Sequence, residues 1–118
     1  MDSILNTVKV GLGGITIDNT DFDDILIMDI NMAFSTLKQL GVGEDFEITD
    51  ATAVWSDYID DDPSVLEMVK SYITKKVKMS FDPPMNGSAV DSFKNSIAEL
   101  EWRLNVYVDP KQEDQGGE

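Results

Sequence analysis

Neither cysteine nor histidine occurs in the chain. The first absence removes disulfides, thiolate nucleophiles and cysteine-built zinc centres. The second removes the commonest general acid–base, the triads built on it and the commonest nitrogen ligand for metals. Basic residues are scarce too: 9 Lys and Arg face 23 Asp and Glu, for a net charge of −14. Such a surface repels a phosphate backbone, which argues against nucleic acid as the main ligand. No apolar run approaches the ~20 residues of a membrane-spanning helix. No basic segment precedes an apolar stretch near Asp2, as a secretory signal would require. The expectation is a soluble, intracellular, non-catalytic protein without cofactor, metal or membrane contact.

What is present is helical pattern. With 118 residues, 42% of them hydrophobic, the chain suffices for one domain with one core. Val90, Phe93, Ile97, Leu100, Leu104 and Tyr107 recur at alternating steps of three and four, which lines six large side chains along one helix face. A stripe this regular requires partner helices, in the same chain or in another subunit. Trp102 and Val106 lie off it and imply a second surface to be covered.

Four further helices precede that one. The first spans 2–11, with Asp2 or Ser3 as cap, Ile4, Leu5 and Val8 inward, and Gly11, Gly13 and Gly14 as breakers. A second, Asp21 to Leu40, opens on a Thr20–Asp23 capping pair and stops at Gly41 and Gly43. It is apolar around much of its circumference, which predicts a central position. Phe46 to Ile48 reads as an extended loop or short strand. A third short helix carries Val54, Trp55, Tyr58 and Ile59 behind an Asp50 cap. Asp62 followed by Pro63 starts the fourth, with Val65, Leu66, Val69, Ile73 and Val77 inward and Pro83 and Pro84 as its end. Ser88 with Asp91 opens the fifth, which Asp109 and Pro110 close. The fold expected is an all-α, small bundle of four to five helices with irregular loops: one domain over residues 1–110 and a flexible acidic tail over 111–118.

The polar clusters yield no catalytic or metal motif. Read as a calcium loop, the acids from Asp18 to Asp24 lack the glycine at position six, an oxygen ligand at five (Phe22) and the closing glutamate (Asp29 stands there). Helix capping explains them better, as it does Asp60 to Asp62. Gly11 to Gly14 lacks the lysine and hydroxyl of a phosphate-binding loop. Carboxylate pairs able to cleave glycosides arise by chance among so many acids, and the chain is short for a substrate cleft. Lys70, Lys75, Lys76 and Lys78 crowd the fourth helix. They complement its negative C-terminal end, or they form a positive patch for the acidic face of a neighbouring copy. Trp55, Tyr58, Trp102 and Tyr107 suit core packing, with Trp102 the best-placed interface anchor.

The segments AVWSDYI, DDPSVLEMVKSYITKKVKMSFDPP and SFKNSIAELEWRLNVYVDP follow a short leading helix and a long apolar one. In that order they resemble the small tailed-phage head–tail connector (adaptor, head-completion) proteins, over roughly residues 1 to 110. The resemblance implies a structural virion protein at the head–tail interface, assembled in the host cytoplasm. It would dock beneath the portal protein as a ring homo-oligomer, a dodecamer in the virion. Its other face would offer a platform for a downstream connector, stopper or tail protein, with DNA passing only in transit through the lumen. It also implies partner contacts in the loops 11–20 and 43–50, where Phe46 and Ile48 stand, and in the tail after Asp109. The competing reading is an acidic DNA mimic that blocks a host nucleic-acid-binding enzyme. Against it, the lysines of the fourth helix, with Lys94 and Arg103, interrupt a continuous negative face.

Overall fold

The computed structural model describes residues 3–59 and 63–116, the last eight as backbone alone. Five helices follow in order: α1 (Ile4–Leu12), α2 (Asp23–Gln39), α3 (Trp55–Tyr58), α4 (Pro63–Phe81) and α5 (Gly87–Gly116). Among the described residues there is no strand, only an isolated antiparallel bridge between Ser3 and Val54. The protein is the all-α bundle its periodicity predicts.

α1 starts where Ser3 accepts the Asn6 N–H at 3.2 Å, and it ends on Gly13 in the left-handed region. Asp2, the other expected cap, lies outside the described residues. The Thr20–Asp23 capping pair does not form. Phe22 occupies the cap position without a side-chain bond, and Thr20 contributes only its backbone carbonyl to the Asp23 N–H. The Asp23 carboxylate is engaged elsewhere, by Lys9. At the other end of α2, Val42 N–H reaches back to the Leu37 carbonyl and Gly41 N–H to that of Lys38. This paired closure needs a left-handed residue at the turn, and Gly41 supplies it with φ 91°.

The centre of the bundle is α4, not α2. α4 packs against α1, α2 and α5, whereas α5 leans chiefly on α4. Val65, Val69, Tyr72, Ile73 and Val77 of α4 are buried. α2 buries Leu26, Ile30, Ala33, Phe34 and Leu37 but leaves Ile25, Met28 and Met32 exposed. Its apolar circumference therefore reflects two faces, of which this chain covers one.

The segment from Val42 to Val54 is extended loop wrapped on α2. The Asn31 side chain bonds both polar groups of Ile48, donating Nδ2–H to its carbonyl at 3.0 Å and accepting its N–H at 2.8 Å. One amide thus replaces a β-pairing partner, which is why this stretch is no strand. Phe34 stands 5.1 Å from Phe46 and 4.6 Å from Tyr58, ring centre to ring centre, and Trp55 joins the cluster. Asp50 does not cap α3. It accepts the Thr52 N–H and hydroxyl, which hold its carboxyl below the usual range, the hydroxyl most. Asp57 takes the cap role by accepting the Val54 N–H.

Pro63 opens α4 as expected; Asp62 lies outside the described residues. For α5 the cap is Asn86, whose Oδ1 accepts the Ala89 N–H at 2.8 Å, rather than Ser88, already inside the first turn. α5 then passes through Pro110, which has no N–H to offer the Val106 carbonyl, and continues to Gly116. Gly117 and Glu118 lie outside the described residues. The molecule measures 51 × 36 × 20 Å, about two helix diameters thick. So flat a slab has two broad outer faces.

Candidate functional site

Three outward regions carry side chains that a single copy leaves unburied. The first is the outer face of α2, where Ile25, Met28 and Met32 are 50%, 60% and 65% exposed. At 100° per residue they cluster nearly opposite the buried face of the helix. Asp21 and Asp24 stand exposed at the N-terminal end of the stripe, and Asp29 sits half-buried at its edge. Burial pushes the Asp29 carboxyl above its usual range. No lysine or arginine interrupts this stretch before Lys38.

The second region is a cleft of about 410 Å³ between α1, α4 and α5. Val10 stands at its edge, 61% exposed, and Phe93 forms part of the α5 wall. Lys70, Lys75 and Lys78 line it from α4. Their bonds within the chain are weak surface ones: Lys70 to Glu67 at 3.6 Å and Lys78 to Asp82 at 3.5 Å. Lys75 reaches the Ser71 hydroxyl at 3.4 Å and lies over the Phe93 ring. Gly11 lets α1 and α4 approach closely beside the cleft, because a Cβ there would stand 2.6 Å from the Thr74 methyl.

The third region is the outer side of α5, where Trp102 is 66% exposed and Val106 lies one turn further on. On the inner side of that helix Leu104 and Val108 are buried, while Val90, Phe93, Ile97, Leu100 and Tyr107 are half-buried. The Tyr72 hydroxyl donates to Glu101 Oε2 at 2.8 Å and ties the seam at mid-length.

The lysines expected to act together are divided by the structure. Lys70, Lys75 and Lys78 share the cleft, whereas Lys76 leaves the other side of α4, beside Met32, Ser80 and Asp29. Phe46 is half-buried in the aromatic cluster, and Ile48 is 2% exposed, so Ile48 belongs to the core and presents no side chain to a partner. Trp102 is on the surface and Tyr107 is in the seam.

Two elements escaped the sequence reading. One is Val10 with the outer stripe of α2. The other is Lys9, 1% exposed among the core residues. Its ammonium donates to the carbonyls of Asn19 at 2.9 Å and Ile17 at 3.3 Å, and lies 2.7 Å from Asp23 Oδ1. This clip lashes the loop 13–22 to α1 and to the start of α2. The signal for it was there: Ile4, Leu5, Val8, Lys9 and Leu12 form one buried face, and Lys9 sits at a core position in that spacing.

Among the described residues no group of three or more acidic side chains is placed to hold a metal ion, and no helix is long and apolar enough to cross a membrane. The arrangement offers surfaces for apolar and charged contact. Comparison with curated proteins and with solved structures finds no match. A family model described as phage connector protein matches residues 4–111, and the chain belongs to that family.

Proposed function

We propose that this member of the phage connector family is the adaptor of the head–tail junction. It docks as a ring, a dodecamer in the virion, under the portal protein and links the DNA-filled head to a downstream connector, stopper or tail protein. Its role is structural and non-catalytic. The observation that carries this reading is the surplus of apolar surface on one small slab, above all Ile25, Met28 and Met32 on α2 with Trp102 and Val106 on α5. An isolated monomer gains nothing from exposing them, whereas a building block uses them as contacts. The charge of −14 suits a conduit: like charge keeps passing phosphates from adhering to the wall. The lysine cleft weighs against the DNA-mimic alternative, since it breaks any unbroken acidic face.

The test is to mix the purified chain with portal rings and follow mass by light scattering and shape by negative-stain microscopy. A ring-shaped complex with portal is the expected product. Monomer at every concentration, with no binding to portal, would rule the adaptor reading out.

A further inference from the structure

We propose that copies of this chain associate head to tail, the outer stripe of α2 from one copy seating in the lysine-rimmed cleft between α1, α4 and α5 of the next. The inference rests on the ring reading above and specifies which faces build the ring.

Both surfaces carry apolar side chains beside charge of mainly opposite sign: acidic at the N-terminal end of the stripe, and basic in the cleft, where Glu67 lines the wall with the lysines. The stripe presents Ile25, Met28 and Met32, with Asp21 and Asp24 exposed at its N-terminal end. The cleft presents Val10 and Phe93 among Lys70, Lys75 and Lys78. These three lysines are a third of all the positive charge on the chain, which has 9 basic residues. They lack a strong partner of their own. Lys70 and Lys78 pair only loosely with exposed carboxylates, and Lys75 touches a hydroxyl and a ring.

Position forbids one copy from closing on itself. The cleft opens on the side of α4 that carries Ser71 and Thr74, and the edge of the stripe at Met32 borders the side that carries Lys76 and Ser80. Charge disfavours a two-fold dimer through the cleft, because cleft on cleft sets ammonium groups against ammonium groups. A contact between unlike faces joins opposite charges; it repeats from copy to copy and closes into a ring when the rotation permits.

Reversal of charge, one face at a time, tests the pairing on the full chain. One variant carries Lys70→Glu, Lys75→Glu and Lys78→Glu; the other carries Asp21→Lys and Asp24→Lys. Circular dichroism checks that both stay folded, and sedimentation velocity reads association, alone and on portal. Each variant by itself should associate at least roughly tenfold more weakly than the unaltered chain. An equal mixture should recover association, because every junction in an alternating array again joins opposite charges. The absence of native cysteine allows an independent arm. Val10→Cys copies mixed with Met28→Cys copies should form the mixed disulfide in preference to either homodimer.

If the unaltered chain associates and both variants do so equally well, another face builds the contact; the proposal falls and the ring reading survives. Predominant Met28→Cys or Val10→Cys homodimers also overturn it, in favour of a two-fold pairing. Loss of association on removing residues 111–118 and on reversing the cleft lysines, with the Asp21→Lys, Asp24→Lys variant unaffected, would make the C-terminal segment the occupant of the cleft instead. Should the unaltered chain associate neither alone nor with portal, the ring reading falls and takes this one with it.

Discussion

Replacing Gly43 by alanine should damage the protein far more than the same change at Gly13. Both glycines hold left-handed backbone, with φ 70° at Gly43 and 85° at Gly13. A Cβ costs roughly 1 kcal/mol in that region at either site. The surroundings then differ. At Gly13 nothing lies within 4 Å of the added carbon, whereas at Gly43 it would meet Tyr58 Oη at 2.7 Å and Cζ at 2.8 Å. That ring cannot retreat freely. It is 9% exposed, wedged 4.6 Å from the Phe34 centre and 5.3 Å from Phe46, and its hydroxyl donates to the Val42 carbonyl at 3.1 Å. Forcing it aside adds roughly 2 kcal/mol of overpacking. Losing the Val42 bond in a buried setting adds about 1 more. Gly43→Ala should therefore cost about 4 kcal/mol and Gly13→Ala about 1. For a domain of this size that is a fall in Tm of about 15 °C against about 4 °C. Thermal unfolding followed by circular dichroism decides between them. Equal shifts in the two variants would show that Tyr58 does not hold the 42–58 loop in the way described.

Two further perturbations read other parts of the structure. Lys9→Met strands the Asp23 carboxylate and the carbonyls of Ile17 and Asn19; a loss of about 3 kcal/mol is expected in urea unfolding, with faster amide exchange over residues 15–22, and unchanged exchange there would refute the clip. At high pH the tyrosines matter: burial pushes the Tyr58 hydroxyl up to about 12, and burial, then the Glu101 hydrogen bond and its negative charge, push Tyr72 up as well. An unfolded tyrosine ionises near about 10, so the unfolded chain releases these protons first. The stability they contribute is therefore complete below that pH and declines as pH rises toward the folded values. Tyr58→Phe and Tyr72→Phe should each make alkaline unfolding less steep, and an unaltered slope in both would contradict the burial described.

The helices were legible because their signals are local. The α5 seam follows from spacing alone, and Pro63, Gly41 and the Pro83–Pro84 pair mark ends that the structure keeps. Coverage was not legible. Periodicity gave Val90, Phe93, Ile97 and Leu100 the same standing as Leu104, yet only Leu104 of these is fully buried, since depth depends on how far a neighbour extends. The same blindness made α2 look central: its composition records that both faces are apolar, not that one of them awaits something outside the chain. Caps went astray where a competitor stood far off in sequence or close by in the turn. Lys9 captured Asp23 from across the loop, and Asn86 preceded Ser88. Asn31 closing on Ile48 across 17 residues leaves no short-range trace. Among the lysines, the run of the chain suggested one patch, while helix geometry sends Lys76 away from Lys70 and Lys78.

Because α5 is fastened along a single flank, to α4, its detachment severs one seam and leaves the α1–α2–α4 body whole. The protein thus holds two tiers of cohesion within one domain, an inner triad and a hinged strut. Hydrogen exchange should see the strut open first.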